Sequence, residues 1–478
     1  MAKIKNKKGS MIAYALIIMS VVSILLVSIL RYTTSQTTFS INRVNRSGSF
    51  QVAEAGIYFY RWYLAHEISG RTVQQIKDFW QSVNPYGVAT PYEADFKDPE
   101  GGVIGRYKIE VQAPDVNSTI VIVKSTGWML KDPDVKRVVQ ARFRRPSWSE
   151  SAVLANDNMR FGSGTVVNGK IHSNKGIRFD GVATNVISSA LDKYDDPDHS
   201  GNNEFGVHTH VNAPPGSGIN DSFRSAEAPP NSVPTRADVF QAGRQFPVSS
   251  VDFNGVLSDL NFMKSESQIS GHGIYFDNAK CGGSTNLGRH IVLKANGTMT
   301  VTKVRGVDPD NGINSEGCSA DYTIPGGGVV FVENNAWVEG TINNKKVTIV
   351  AANLSGGGNK TIYIGMNNIL YTNFDGRDIL GLIGQQDVEV IKDSQNVFTV
   401  DAALLAQSGR VGMSHYGNHK DTITVNGSLA TNLRYGFAWT DGTGYATRNL
   451  NFDNNLLYYP PPYFPTGTEY YIDLWEEL

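Results

Sequence analysis

Hydrophobic and polar positions fall into three textures along the chain. The first is a run from Ser10 to Leu30 with no charged residue, closed by Arg31. At about 1.5 Å per helical residue it reaches about 31 Å, close to the thickness of a bilayer's hydrocarbon core. A removable signal has an apolar region of only about 7–15 residues followed by a small-x-small step, and neither condition holds here. Lys3, Lys5, Lys7 and Lys8 precede the run and would stay on the cytoplasmic side of a membrane. Met11, Tyr14, Leu16, Leu25 and Leu30 therefore mark a helix expected to meet lipid.

The second texture has helical and then strand periodicity. Phe50, Ala53, Ile57, Tyr60 and Leu64 share one helical stripe, and Val73, Ile76, Phe79, Trp80 and Val83 make another. Tyr107–Gln112, Ser118–Trp128 and Val135–Arg145 alternate or are β-branched, with "APDVN" and "KDPD" as turns between them. A small antiparallel sheet packed on a helix is expected. Lys136, Arg137, Arg142, Arg144 and Arg145 would form a basic edge of that sheet, solvated or, alternatively, in contact with an anionic partner.

Past Pro146 come short β-branched runs separated by Gly and Asn. Val167-Asn168-Gly169-Lys170-Ile171-His172-Ser173-Asn174 is echoed by Val425-Asn426-Gly427-Ser428-Leu429-Ala430-Thr431-Asn432, and more loosely from Val338 to Asn344. Apolar residue, Gly corner and turn Asn suit the rungs of a parallel β-helix; a β-sandwich with long loops is the alternative. The expected fold is mainly β with a long N-terminal α-helix, a small α+β head and a β-helix-like region. The divisions are 1–66, 67–146, 147–465 with a loop insertion at about 190–250, and a tail at 466–478 that would cap the β region.

Composition narrows the function. With 48 Gly, 18% charged residues and a net charge of −2, the chain is turn-rich and carries no basic field, so no nucleic acid partner is expected. Its two cysteines, Cys281 and Cys318, can pair or stay free. His199, His208 and His210 lie near Asp192, Asp195, Asp196 and Asp198. Those residue types suit calcium or zinc, but the surrounding composition reads as a solvated polar loop; no metal and no cofactor are assigned. "DPDNGINSEG" from Asp308 places its Gly one position early for a calcium loop and reads as a turn. No nucleophile elbow, phosphate loop or zinc-protease motif is present. Asp387, Glu389, Asp401 and Arg410 are the carboxylates and base that a polysaccharide-active enzyme would need. Trp337, Tyr435, Trp439, Tyr445, Tyr458 and Tyr459 could offer a sugar-binding face, or serve as core.

The small pair Gly9–Ser10 sits between the lysines and the apolar run. A basic leader, a Gly and then a helix of this length resemble the prepilin leader of type IV pilins and secretion pseudopilins. The resemblance implies a cut after Gly9 by a prepilin peptidase, with Ser10 the first mature residue. Tyr14 then occupies the fifth mature position, where most such pilins carry Glu, which points to a minor or tip subunit. Ala53-Glu54-Ala55-Gly56 is similar to the "AAEAG" signature of the PilX-like minor pilins, and the β region resembles domains appended to some of them. What this implies is a non-enzymatic filament subunit, held in the inner membrane before assembly and then carried to the cell surface. Its partners would be other pilin subunits and surface glycans. A membrane-anchored polysaccharide-active enzyme or surface binding protein is the alternative.

Overall fold

The computed structural model describes residues 8–82, 84–115, 118–253, 256–279, 285–467 and 469–478, apart from the side chains of 8–10, 82 and 256–259. Lys3, Lys5, Lys7, Val83 and Cys281 lie outside the described residues. The protein is mainly β with a long N-terminal helix. That helix, α1, runs unbroken from Lys8 to Ile68, 61 residues, or about 90 Å.

The C-terminal third of α1 lies on a five-stranded antiparallel sheet built from Tyr92–Lys97, Val103–Gln112, Ile120–Met129, Asp132–Arg144 and Tyr471–Glu477. Of the expected stripe, Ala53, Ile57, Tyr60 and Leu64 are buried with Val52 and Ile68 against Ile109, Val121, Val123, Val139, Ala141 and Phe143, and Phe50 is half-buried beside them. The second helix, α2 (Val73–Ser82), adds Ile76 and Phe79 to the same core. The strands start or end a few residues from their expected bounds, because pairing with neighbours, not propensity, sets where a ladder stops.

The fifth strand departs from expectation. The acidic tail does not cap the β region; it pairs with Asp132–Arg144, bringing Trp475 opposite Ala141. Three of the five basic residues are matched by carboxylates, while Lys136 lies over Trp128 and Arg145 over Tyr470. Arg142 reaches Asp473 at 2.8 Å, Arg144 pairs with Glu150 and Asp473, and Arg137 pairs with Glu477. A backbone ladder lined by complementary charges places this strand where a solvated edge was expected. Everything from 147 to 465 is consequently an excursion between two adjacent strands of one small sheet.

That excursion builds a large mixed sheet. Its antiparallel part is a set of three strands, Gly288–Leu293, Thr298–Val307 and Ile313–Thr323; the Asp308 turn joins the last two, and Cys318 on the third is disulfide-bonded. Elsewhere in this sheet the pairings are parallel. Val397–Ala406 pairs with His419–Thr431, which pairs with Gly444–Phe452, each contact spanning 25 residues. The chain enters this stack in its middle. Val153–Ala155 lies between Leu429–Thr431 and Ile171–Ser173.

The echoed phrase has a physical reason. Asn168 donates to Asn451 at 2.8 Å, Asn451 to Asn426 at 2.9 Å, and Asn426 to Asp401 at 2.8 Å, an amide ladder up one corner. Asn174, Asn156 and Asn432 form a second ladder. The glycine between the ladder residues is required by close approach: Gly427, within the strand His419–Thr431, has φ 157°, and a Cβ there would stand 2.0 Å from the Ala402 carbonyl oxygen.

Candidate functional site: an exposed helix and its seat

α1 is two structures in one. From Met11 to Val44 every side chain is exposed, although the first twenty of these carry no charge. Met11, Tyr14, Leu16, Leu25 and Leu30 all stand free, Tyr14 being 66% exposed. The segment is long and apolar enough to cross a membrane. Its hydroxyls do not spoil that. Ser20, Ser28, Thr33, Thr34, Thr37 and Thr38 each donate to a carbonyl three or four residues back, at 2.8–2.9 Å, so the helix offers few unsatisfied polar groups to an apolar neighbour. Gly9 and Ser10 lie in its first turns.

The seated half explains the Ala53-Glu54-Ala55-Gly56 phrase. A Cβ on Gly56 would fall 2.2 Å from the Ser125 hydroxyl oxygen, and one on Gly127 would fall 2.2 Å from the Ala53 amide nitrogen. Small residues on both surfaces let helix and strand approach to backbone contact. Ala53 and Gly56 face the sheet, while Glu54 and Ala55 are half-buried beside it. Ser49 locks the crossing by donating to the Val135 carbonyl at 2.8 Å.

Head and β region meet at Glu266 on the third helix, α3 (Val256–Ser267). Its carboxylate accepts from Lys77 at 2.9 Å, Tyr463 at 2.9 Å and His272 at 3.0 Å. Burial opposes its charge, but those three donors outweigh it and hold its pKa below the usual carboxylate range.

The carboxylates considered for polysaccharide chemistry are engaged in holding the fold. Asp387 accepts from the Arg410 backbone N–H at 2.7 Å, Glu389 from the Tyr416 hydroxyl at 2.8 Å, and buried Asp401 from Tyr371 N–H and Asn426, both at 2.8 Å. Of the aromatic set, Trp337, Tyr435 and Tyr445 are core, whereas Tyr458, Tyr459 and Trp439 are exposed. Trp439 lies in a groove with Arg160, Arg410 and Arg434, the Arg410 guanidinium 5.2 Å from its ring.

The histidines are placed where the sequence did not suggest. His208 and His210 are fully buried and His199 nearly so, grouped with Asp196 and Glu204. Asp192, Asp195 and Asp198 stand outside this group, and Asp198 pairs with Arg434 and Arg160. Sequence reading missed Glu204 entirely; its only local signal was the alternation His208-Thr209-His210, which puts two imidazoles on one face.

No known family profile matches the chain, and no characterised protein matches it by sequence. Among solved structures, it is similar to the competence-associated pilin ComZ from Thermus thermophilus. The identity is 13%, the match covers 91% of this chain and 98% of that one, and the TM-score is 0.30. A score and identity that low fall short of showing a common fold.

Proposed function

We propose that the chain is a pilin-like subunit of a type IV pilus or related filament, of the PilX-like minor kind, with a β-rich domain presented outward. One observation carries this reading: a single helix bare from Met11 to Val44 and seated on an antiparallel sheet from Val52 to Ile68. A bare apolar helix needs a cover. Lipid supplies it before assembly, and like helices of neighbouring subunits supply it afterwards. The Gly9–Ser10 step ahead of the apolar run is the leader cut, made by a prepilin peptidase, and Tyr14 in place of a buried carboxylate suits a minor or tip position.

In this reading 1–66 is leader and assembly helix, 67–146 the head, 147–465 a β-helix-like domain, and 466–478 the returning tail. The parallel pairings and asparagine ladders support stacked rungs. Cys281 and Cys318 form one disulfide, suited to an oxidising space outside the cytoplasm. The Trp439 groove, aromatic and cationic, is the place for a surface glycan, and the role is adhesion or filament initiation, not catalysis.

The test is the mature N-terminus, read by intact mass of the protein recovered from cells with and without a prepilin peptidase. Loss of residues through Gly9 only when the peptidase is present is the expected result. An uncut chain in both would make α1 a plain anchor and return the β region to consideration as a tethered enzyme or binding protein.

A further inference from the structure

The cluster of Asp196, His199, Glu204, His208 and His210 has its own logic, independent of any filament. Tyr194 pairs with Glu204 across the antiparallel strands Lys193–Tyr194 and Glu204–Phe205, while Val207–His208 runs parallel to Ile177–Phe179. These short ladders bring three imidazoles and two carboxylates into one buried pocket whose ligand atoms all lie within 4.8 Å of one another.

The donor atoms face one another, those of His199 and His210 through contacts to Glu204, those of His208 and Asp196 Oδ2 with no hydrogen-bond partner at all. Nε2 of His208 stands 3.1 Å from Glu204 Oε2 and 3.5 Å from Asp196 Oδ2, yet neither of its ring nitrogens makes a hydrogen bond, and Asp196 Oδ2 is likewise unpartnered. Nδ1 of His210 is 2.8 Å from the Asn220 carbonyl oxygen, which can only accept, so the proton sits on Nδ1. In the neutral ring, Nε2 then turns a lone pair toward the Glu204 carboxylate, 3.3 Å from Oε1 and 3.4 Å from Oε2. Nε2 of His199 completes the set at 3.0 Å from Glu204 Oε2 and 3.6 Å from Asp196 Oδ2. Buried lone pairs do not converge like this unless something positive lies between them.

The nearest cation is mostly engaged elsewhere, with one guanidinium nitrogen left without a hydrogen bond. Arg178 donates to Asp180 at 2.8 Å and to Asp221, and its remaining nitrogen is 4.0 Å from Asp196. Backbone N–H groups hold the outer oxygens: Asp198 N–H on Asp196 Oδ1 at 3.0 Å, and Arg224 N–H on Glu204 Oε1 at 2.8 Å. Each carboxylate keeps its other oxygen for the pocket. Such outer bonds are what orient the ligands of a metal.

We propose that these five residues bind one divalent first-row ion of the zinc type. Donors about 2.1 Å from a common centre stand about 3.0–3.4 Å apart; the closest nitrogen–oxygen approaches here are 3.0–3.6 Å, and the whole set lies within 4.8 Å. Three imidazoles select against calcium, which takes oxygen ligands. Four of the five residues are buried and His199 is partly buried, so little solvent reaches the pocket. The ion would clamp the polar 190–250 stretch onto the strands Met159–Phe161 and Ile177–Phe179 beneath it.

The test uses the full chain in detergent, purified without metal-affinity resin. Elemental analysis should find about one first-row ion per chain, and the X-ray absorption edge of zinc should show imidazole neighbours. A chelator should lower the Tm, and zinc alone should restore it. His208→Ala should abolish the ion and the chelator response. Should that variant fail to fold, His199→Asn, which removes the most accessible ligand, should weaken zinc at least about 10-fold. Two results overturn the proposal. One is no first-row ion bound together with a Tm indifferent to zinc and chelator, which leaves a proton-held histidine–carboxylate cluster. The other is an unchanged metal content in folded His208→Ala or an unchanged zinc affinity in His199→Asn.

Discussion

The two ends of α1 are equally regular helix and differ in where their apolar groups find company. Between Val52 and Ile68 the apolar residues form a stripe, and the stripe is buried against the chain's own sheet. Between Met11 and Leu30 they surround the helix, and none is covered. A stripe can be satisfied by one surface, whereas an all-round distribution needs an apolar medium or a ring of like helices. Periodicity therefore tells whether a helix is addressed to its own fold or to something outside it.

The comparison is broken most severely by deleting packing in one half and not the other. Ile57→Ala should destabilise the head by about 2–5 kcal/mol, read by denaturant unfolding in detergent, while Ile24→Ala should stay within about 0.5 kcal/mol. A matched loss from both would show that the free half packs on the head. Charge gives the converse. Leu25→Arg should leave head unfolding unchanged but cost about 2.5–3.5 kcal/mol of membrane insertion, seen as protein lost from the membrane fraction.

Gly127→Ala tests the seat itself. Its Cβ would meet the Ala53 backbone, and a cost toward the upper end of about 1–3 kcal/mol is expected, with Ser125→Ala far milder. The Glu266 junction sharpens the picture through pH. Because its folded pKa is depressed, its contribution is complete above the unfolded value of about 4.3 and is lost as pH falls through the folded one. Glu266→Gln should flatten that acid limb in thermal melts taken across it. The smallest effect belongs to the last strand's ion pairs. Asp473→Asn, at the partly exposed Arg142 contact, should cost under about 1 kcal/mol and fade with salt.

What was legible in the sequence was local. The apolar run, the Phe50–Leu64 stripe and three head strands follow from periods of 3.6 and 2 that adjacent residues carry. The echo from Val167 and Val425 was legible because glycines and ladder asparagines recur. The stack as a whole was not, since neighbouring strands are separated by 16 residues at His172 and Ser188 but by 33 at Lys345 and Asp378. The strand Tyr471–Glu477 was hidden because its partner lies over three hundred positions away, Gln140 to Glu476 being 336 apart. The histidine cluster was hidden because its five residues come from irregular segments and from strands only two residues long, with no fixed spacing to mark them.

The entry of the chain at mid-stack sets an order of events during synthesis. Val153–Ala155 has one of its two neighbours, Leu429–Thr431, still unmade for nearly three hundred residues, Asn156 and Asn432 being 276 apart. The head sheet waits longer still, for Tyr471–Glu477. Contacts that distant make for slow folding and a long-lived exposed edge. A chain stopped before Tyr471 leaves Asp132–Arg144 as an open, basic edge, so completion of the head records completion of everything threaded through it.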